Sequence, residues 1–272
     1  MFDFTREHPQ TLAGTRKTNK GRQLADVLRD VLKLPGDTSG IPDYRNYRYL
    51  SASGYPSQHA MAYTVATEPG IQAVVYRLTE ERWHSRPPQA GKKAILYVSN
   101  LSSDKELREE PLIRELIKQE PETPFYTCDV RGIGDSSPGT SQPDSFHSAY
   151  GSDYFYAIHS IMLGRPYVGQ RTFDVLRVLR WLNSLGHEEV HLVGLRWGGL
   201  PATFAAVLDD SVKQVTLKNA LTSYSAIAES EHYDWPLSTL LPGVLERFDL
   251  PDCYAELQSK RLTQIDPVGP TS

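Results

Sequence analysis

The sequence predicts an α/β fold in which helices cover both faces of a mostly parallel central sheet. Short apolar runs alternate with amphipathic segments along most of the chain, and one of these runs leads through a glycine-rich turn into a helix of small residues. The 272 residues are 39% hydrophobic, which is enough for one substantial core. We therefore expect an α/β domain over residues 56–272, preceded by an extension with one helix over residues 1–55.

The first elements follow from local residue patterns. Apolar residues recur on one helical face over residues 23–34, and Pro35 and Gly36 stop this helix. Residues 61–67 and 71–78 are rich in β-forming residues and flank Glu68-Pro69-Gly70, an order that favours a type II turn. An antiparallel hairpin should therefore open the sheet.

Apolar runs further along the chain predict the remaining strands at residues 93–99, 125–129, 190–193, 212–217 and 262–265. Helices are expected over residues 172–185, after residue 199, and from Pro111, which suits a first turn. A capping box from Ser103 to Glu106 should cap a short turn before Pro111. Residues 222–258 are rich in Trp, Pro and Tyr and are interpreted as a cap-like insertion.

One turn has the frame of a catalytic motif. Residues 194–198 read Gly194-Leu195-Arg196-Trp197-Gly198, which matches the nucleophile elbow G-x-S-x-G except that arginine stands where serine belongs. Glycines at the flanks allow a strand to turn sharply into a helix, which pushes the middle side chain out at the edge of the sheet. A glycine-rich turn that serves packing alone is the other interpretation.

Two further stretches carry a resemblance to a known family. Residues 129–136 read Asp-Val-Arg-Gly-Ile-Gly-Asp-Ser after a strand, and residues 162–177 contain Leu-Gly-Arg-Pro followed by Gly-Gln-Arg and Asp-Val-Leu-Arg. With the elbow, these stretches resemble α/β-hydrolases of the acetylxylan-esterase-like (carbohydrate esterase) group. The resemblance covers about residues 92–267. It implies an α/β-hydrolase fold, here lacking the usual last strand.

The resemblance also implies roles for individual positions. Arg196 occupies the place of the nucleophile, and Trp197 the place whose backbone amide stabilises an oxyanion. A second amide would come from the loop of residues 100–103. Asp266 corresponds to the acid of the triad, although a turn aspartate at a strand end is an equally good interpretation.

Two of the expected catalytic groups are missing from the sequence. Arginine stays protonated and cannot act as a nucleophile, and no histidine follows His232. We therefore expect a catalytically silent domain or one that binds a ligand. The alternative is an active ester hydrolase that removes acyl groups from carbohydrate through Ser102 or Cys128. Ser136 is a weaker candidate nucleophile, and His147, His159 or His232 would then act as the base.

The ligand of a silent domain would be a small molecule or a carbohydrate. A guanidinium at a helix N-terminus suits a carboxylate, phosphate or sulfate, so Arg196 is expected to bind an anion unless Asp129, Asp135 or Asp266 pairs with it. The candidate ligand-binding residues are Arg196, Asn100, Ser102, Asp129, Arg131, Tyr233 and Trp235. Aromatic residues of the insertion (Tyr224, Tyr233, Trp235 and Tyr254) would stack on sugar rings, pack the core or form a dimer contact.

Composition excludes several other functions. The net charge of -4 and the absence of a basic stripe argue against nucleic acid and anionic membranes as partners. No metal or cofactor is expected, because metal-ligand spacings are absent and both glycine-rich stretches depart from nucleotide-binding patterns. We expect a soluble, cytoplasmic protein, since no leader segment or run of about 18 apolar residues is present. Homo-oligomer formation is left open.

Overall fold

A computed structural model describes residues 2–16, 19–36, 39–51, 54–81, 86–88, 91–138 and 153–271. Within these ranges, eight strands form one sheet in the order β1-β2-β3-β5-β4-β6-β7-β8. Strands β1 to β3 and the β3–β5 pair are antiparallel, whereas β4 to β8 are parallel. The strands are β1 (Tyr44–Ser51), β2 (His59–Glu68), β3 (Ile71–Thr79), β4 (Lys93–Val98), β5 (Phe125–Asp129), β6 (Glu189–Leu195), β7 (Val212–Lys218) and β8 (Leu262–Ile265).

Helices cover both faces of this sheet, as the sequence predicts. They are α1 (Phe2–Thr15), α2 (Gly21–Val31), α3 (Ser103–Glu109), α4 (Pro111–Gln119), α5 (Tyr154–Met162), α6 (Tyr167–Ser184), α7 (Gly199–Leu208), α8 (Tyr224–Glu229) and α9 (Leu250–Leu257). Buried residues of α2, α6, α7 and α9 share one core cluster, and those of α3 and α4 belong to another. None of the helices in the described part of the chain is long and apolar enough to span a bilayer.

The N-terminal part contains more structure than the sequence predicts. The hairpin of β2 and β3 forms around Pro69 and Gly70, with Gly70 at φ 76, as a type II turn requires. However, residues 1–55 hold two helices and the edge strand β1 instead of the one expected helix. Strand β1 is hard to recognise in the sequence because none of residues 44–50 is fully buried, so the run lacks an apolar alternation, and a bulge shifts its register between Asn46 and Arg48.

The start of α3 also differs from the prediction. Its N-cap is Ser102, whose hydroxyl accepts a hydrogen bond from the Lys105 amide at 3.4 Å. Ser103, the predicted cap, is the first helical residue, and its amide instead donates to Asp129. The prediction for Pro111 is confirmed, because this proline begins α4.

A buried ion cluster joins three elements around the loop that follows β5. Asp174 of α6 is fully buried and accepts hydrogen bonds from the backbone amide, Nε and Nη2 of Arg131, at 2.9, 2.8 and 2.6 Å. Glu68 at the end of β2 binds Nη1 of Arg131 at 2.7 Å and Nη2 of Arg165 at 2.5 Å. The cluster thereby fixes the loop after β5 against both α6 and the hairpin.

Asp174→Asn should destabilise the protein strongly, because it leaves the buried Arg131 guanidinium without its main counter-charge. Removal of one partner of a buried pair typically costs about 3–5 kcal/mol. Urea unfolding followed by circular dichroism measures this loss of unfolding free energy. Asp30→Asn is the control, since its ion pair with Arg247 is solvent-exposed and should contribute little. Equal losses in the two variants would contradict the role of the cluster.

Candidate active site

The elbow geometry predicted for residues 194–198 is present. Strand β6 ends at Leu195, a single 3-10 turn covers Arg196–Gly198, and α7 begins at Gly199. Arg196 has φ 46, in the left-handed region that residues other than glycine rarely adopt. The chain thus keeps the strained backbone of an elbow even though its central residue is arginine.

Glycine is required at two positions of the elbow because backbones approach closely there. A Cβ on Gly194 would lie 2.7 Å from Gly199 Cα, and a Cβ on Gly198 would lie 2.5 Å from the carbonyl oxygen of Val98 and 2.6 Å from that of Ser99. These contacts place the turn directly against the end of β4. A larger side chain would therefore clash with neighbouring backbone at Gly194 and at Gly198.

The side chain of Arg196 is half-buried and has no ion pair or hydrogen bond with other residues in the described ranges. Each aspartate expected to pair with it is placed otherwise. Asp129 accepts bonds from its own loop, Asp135 contacts Arg48 and Tyr76, and Asp266 is exposed. The structure therefore leaves the Arg196 guanidinium without a described counter-charge.

The amide of Trp197, at the position expected to stabilise an oxyanion, already has a partner. It donates a hydrogen bond of 3.2 Å to Oδ1 of Asn100. Asn100 therefore lies at the elbow, as the sequence predicts. However, its side chain accepts the hydrogen bond that the Trp197 amide would have to donate to a substrate oxygen. The expectation of exposed amides beside Arg196 is wrong at this position.

Two buried carboxylates accept hydrogen bonds from the backbone amides of the loop of residues 100–103, which is expected to supply the second oxyanion donor. The amides of Asn100, Leu101 and Ser102 all donate to Glu106, at 2.8–3.1 Å. The Ser103 amide donates to Oδ1 of Asp129 at 2.7 Å. The sequence pattern predicts Glu106 only as part of a capping box and carries no signal for this second role. All four amides of this loop are thus satisfied internally.

The Asp129 carboxylate, a predicted ligand-binding group, is bonded within the protein. Its carboxylate is fully buried and accepts bonds from the Ser99 hydroxyl at 2.7 Å, the Ser103 amide and the Asp135 amide at 3.0 Å. Burial raises the pKa of Asp129 to about 6, against the opposing effect of these hydrogen bonds. The residue joins the loops that follow β4 and β5.

The alternative nucleophiles are either buried or bonded to neighbouring groups of the protein. Cys128 is fully buried in the core, and burial raises the pKa of its thiol well above the usual value, so a reactive thiolate is disfavoured. The Ser136 hydroxyl donates to the Asp129 carbonyl at 2.7 Å and accepts from the Val74 amide. Ser102 is half-buried and caps α3. None of these three has a hydrogen bond to a histidine of the described ranges.

Among the described residues, the expected acid Asp266 has no hydrogen bond to a candidate base. Asp266 follows β8 at the carboxyl edge of the sheet, where the resemblance implies it, but its exposed carboxylate has no hydrogen-bond partner among the described residues. His232 is exposed on the insertion, and His159 is exposed on α5. His147 lies outside the described residues.

The other predicted ligand-binding residues are dispersed. Arg131 belongs to the buried ion cluster, and Trp235 is 4% exposed with its Nε1 donating to the Gly269 carbonyl at 2.9 Å. Tyr233 lines a cavity of about 600 Å³ between α1 and the insertion, and Arg196 is not part of its lining. Tyr224 and Tyr254 are buried, so packing explains three of the four aromatic residues.

Among the described residues, no three or more His, Cys, Asp or Glu side chains converge in a way that would hold a metal ion.

Gly198→Ala should destabilise the protein by at least about 2 kcal/mol, because its methyl group would overlap backbone carbonyls that cannot move aside. Gly14→Ala in α1 is the matched control, since nothing lies within 4 Å of the added carbon and alanine favours a helix. Chemical unfolding of both variants measures the difference. An unchanged stability of Gly198→Ala would refute the close approach of the elbow to β4.

Comparisons with known proteins agree with this geometry. Residues 102–259, more than half of the chain, match the family model of the alpha/beta hydrolase fold. No curated protein is a significant match. A candidate acetyl xylan esterase from Bacteroides fragilis superposes with a TM-score of 0.66 at 16% identity, covering 97% of this chain and 68% of that chain.

The acetyl xylan esterase from Paenibacillus sp. R4 superposes with a TM-score of 0.51 at 15% identity, covering 93% of this chain and 78% of that chain. At such identities the similarity concerns the fold. The order of strand, elbow and helix at residues 189–208 and the match of the family model lead to one conclusion: this chain belongs to the α/β-hydrolase family.

Proposed function

We propose that this chain is a non-hydrolytic α/β-hydrolase domain that binds an anionic ligand at the elbow. The observation that carries the proposal is the half-buried Arg196 guanidinium, which occupies the outward-facing elbow position without a described counter-charge. The same position presents the nucleophile in catalytic members of the fold. The elbow then presents a cation in place of a nucleophile.

The surrounding groups support the absence of ester hydrolysis. Acyl transfer requires a nucleophile, a base and donors for the oxyanion. Arginine remains protonated at working pH, and the amides of Trp197 and of residues 100–103 all donate to side chains of the protein. A substrate carbonyl would therefore meet neither a nucleophile nor a vacant amide.

The chemistry of the guanidinium supports an oxyanion as ligand. Arginine offers a fork of N–H donors that matches a carboxylate, phosphate or sulfate, and such bonds are stronger than neutral ones. Two structural neighbours are named as acetyl xylan esterases, so an acidic saccharide belongs among the ligands to test.

The absence of hydrolysis is tested with p-nitrophenyl acetate and acetylated xylan. Wild type should give no turnover above the buffer rate, and Arg196→Ser should give none either, because Asn100 still occupies the Trp197 amide. Ser102→Ala and Cys128→Ala are assayed in parallel. Turnover by wild type that one of these two variants abolishes would overturn the proposal and establish an active esterase with a non-standard nucleophile.

Anion binding is tested by calorimetric titration with acetate, phosphate, sulfate and glucuronate. Arg196→Ala should weaken binding of the preferred anion by at least about tenfold, the effect of losing a hydrogen bond to a charged group. Arg22→Ala is the matched control, because Arg22 is an exposed arginine of α2. Equal affinities in wild type and Arg196→Ala, or no binding of any of the four anions, would contradict the proposed site.

A further inference from the structure

A second cleft, separate from the elbow, combines aromatic walls with unpaired polar groups. We propose that this cleft binds a neutral carbohydrate. It has a volume of about 560 Å³ and is lined by strands β1 to β3, the loop after β5, and helices α5 and α6. Small-molecule sites commonly enclose about 300–1,000 Å³. We name it the tyrosine cleft, after Tyr47, Tyr156 and Tyr167 in its lining.

Charged side chains in this cleft are already neutralised, which disfavours a charged ligand. Arg131 and Arg165 both bind Glu68, at 2.7 and 2.5 Å, and Asp135 contacts Arg48. An anion would have to compete with Glu68, and a cation with Arg48. Because breaking either pair would leave a charge without its partner, a neutral ligand is favoured.

Polar side chains without a described partner remain in the same lining. Thr64, Gln72, Ser137 and His159 line the cleft, and their side chains make no hydrogen bond with other residues in the described ranges. Hydroxyl, amide and neutral imidazole groups each both donate and accept hydrogen bonds. This combination matches the hydroxyl groups of a sugar, which also donate and accept.

The aromatic walls are held in place before any ligand arrives. The rings of Tyr156 and Tyr167 stack with centroids 6.1 Å apart and an interplanar angle of 19°. The Arg171 guanidinium lies 4.5 Å from the Tyr167 ring centroid and further fixes that ring. Tyr47 is 50% exposed on β1 and presents a further apolar surface with a polar tip. The exposed Tyr47 ring and the Tyr156 face that does not stack on Tyr167 are the flat aromatic surfaces that would pack against the C–H faces of sugar rings, whereas Tyr167, which is 8% exposed, supports Tyr156.

The tyrosine cleft does not depend on the proposed function of the elbow. Arg196, Trp197 and Asn100 are not among its lining residues. Anion binding at Arg196 and sugar binding in the cleft are therefore expected to respond to different substitutions. Failure of one proposal leaves the other intact.

Titration of the full chain with xylotetraose, cellotetraose and maltotetraose tests the proposal. At least one of these neutral saccharides should bind saturably, and Tyr156→Ala and Gln72→Ala should each weaken that binding, the former by at least about tenfold. Tyr156→Phe keeps the stacked ring and should stay within about threefold of wild type. Tyr233→Ala is the matched control, because this exposed tyrosine lines a different cavity.

The outcomes separate the cleft from the elbow. Gln72 is exposed, so its variant should remain folded even where Tyr156→Ala does not. No saturable binding of any of the three saccharides would overturn the proposal. Binding that survives both Tyr156→Ala and Gln72→Ala, or that only Arg196→Ala abolishes, would overturn it as well.

Discussion

Two buried carboxylates determine the shape of the carboxyl edge of the sheet. Glu106 gathers the amides of three consecutive residues of the loop after β4, and Asp129 joins that loop to the one after β5. Buried backbone amides must find partners, so the loop has few alternative paths. Its conformation places Asn100 within reach of the Trp197 amide, and in this way the elbow after β6 depends on a side chain of α3.

The backbone geometry of the elbow therefore does not depend on which side chain stands at its centre. The elbow has glycines at its flanks, a sharp turn, and a central residue whose backbone is in the left-handed region. The glycines are required because β6, α7 and the end of β4 approach closely at the turn. The chemistry depends on the side chain at position 196 and on vacant amides around it. Those amides donate to side chains of the protein itself, and this arrangement is the basis of the proposed non-hydrolytic function.

Local signals explain what the sequence could predict. The parallel strands, the hairpin and the elbow follow from apolar runs and glycine spacing, which neighbouring residues determine. Glu106 and Asn100 accept hydrogen bonds from backbone amides, and these contacts depend on how the loops that follow different strands pack together. A local sequence pattern does not predict such packing. Strand β1 leaves no apolar alternation in the sequence because it is an edge strand whose residues 44–50 are at most partly buried. The sequence leaves open whether the tyrosines of the insertion stack on sugar rings, pack the core or form a dimer contact, because burial of Tyr224 and Tyr254 is a tertiary property.

The two edges of the described sheet affect how readily the protein aggregates at high protein concentration. Strands β1 and β8 lie at the two edges, where unpaired backbone groups invite strands from other molecules. The bulge near Asn46 and the charged side chains of Arg45 and Arg48 make it harder for a strand of another molecule to pair with β1. Strand β8 has only four residues and is soon followed by Pro267, which has no N–H to donate. Both edges therefore resist the strand-to-strand association that leads to aggregation.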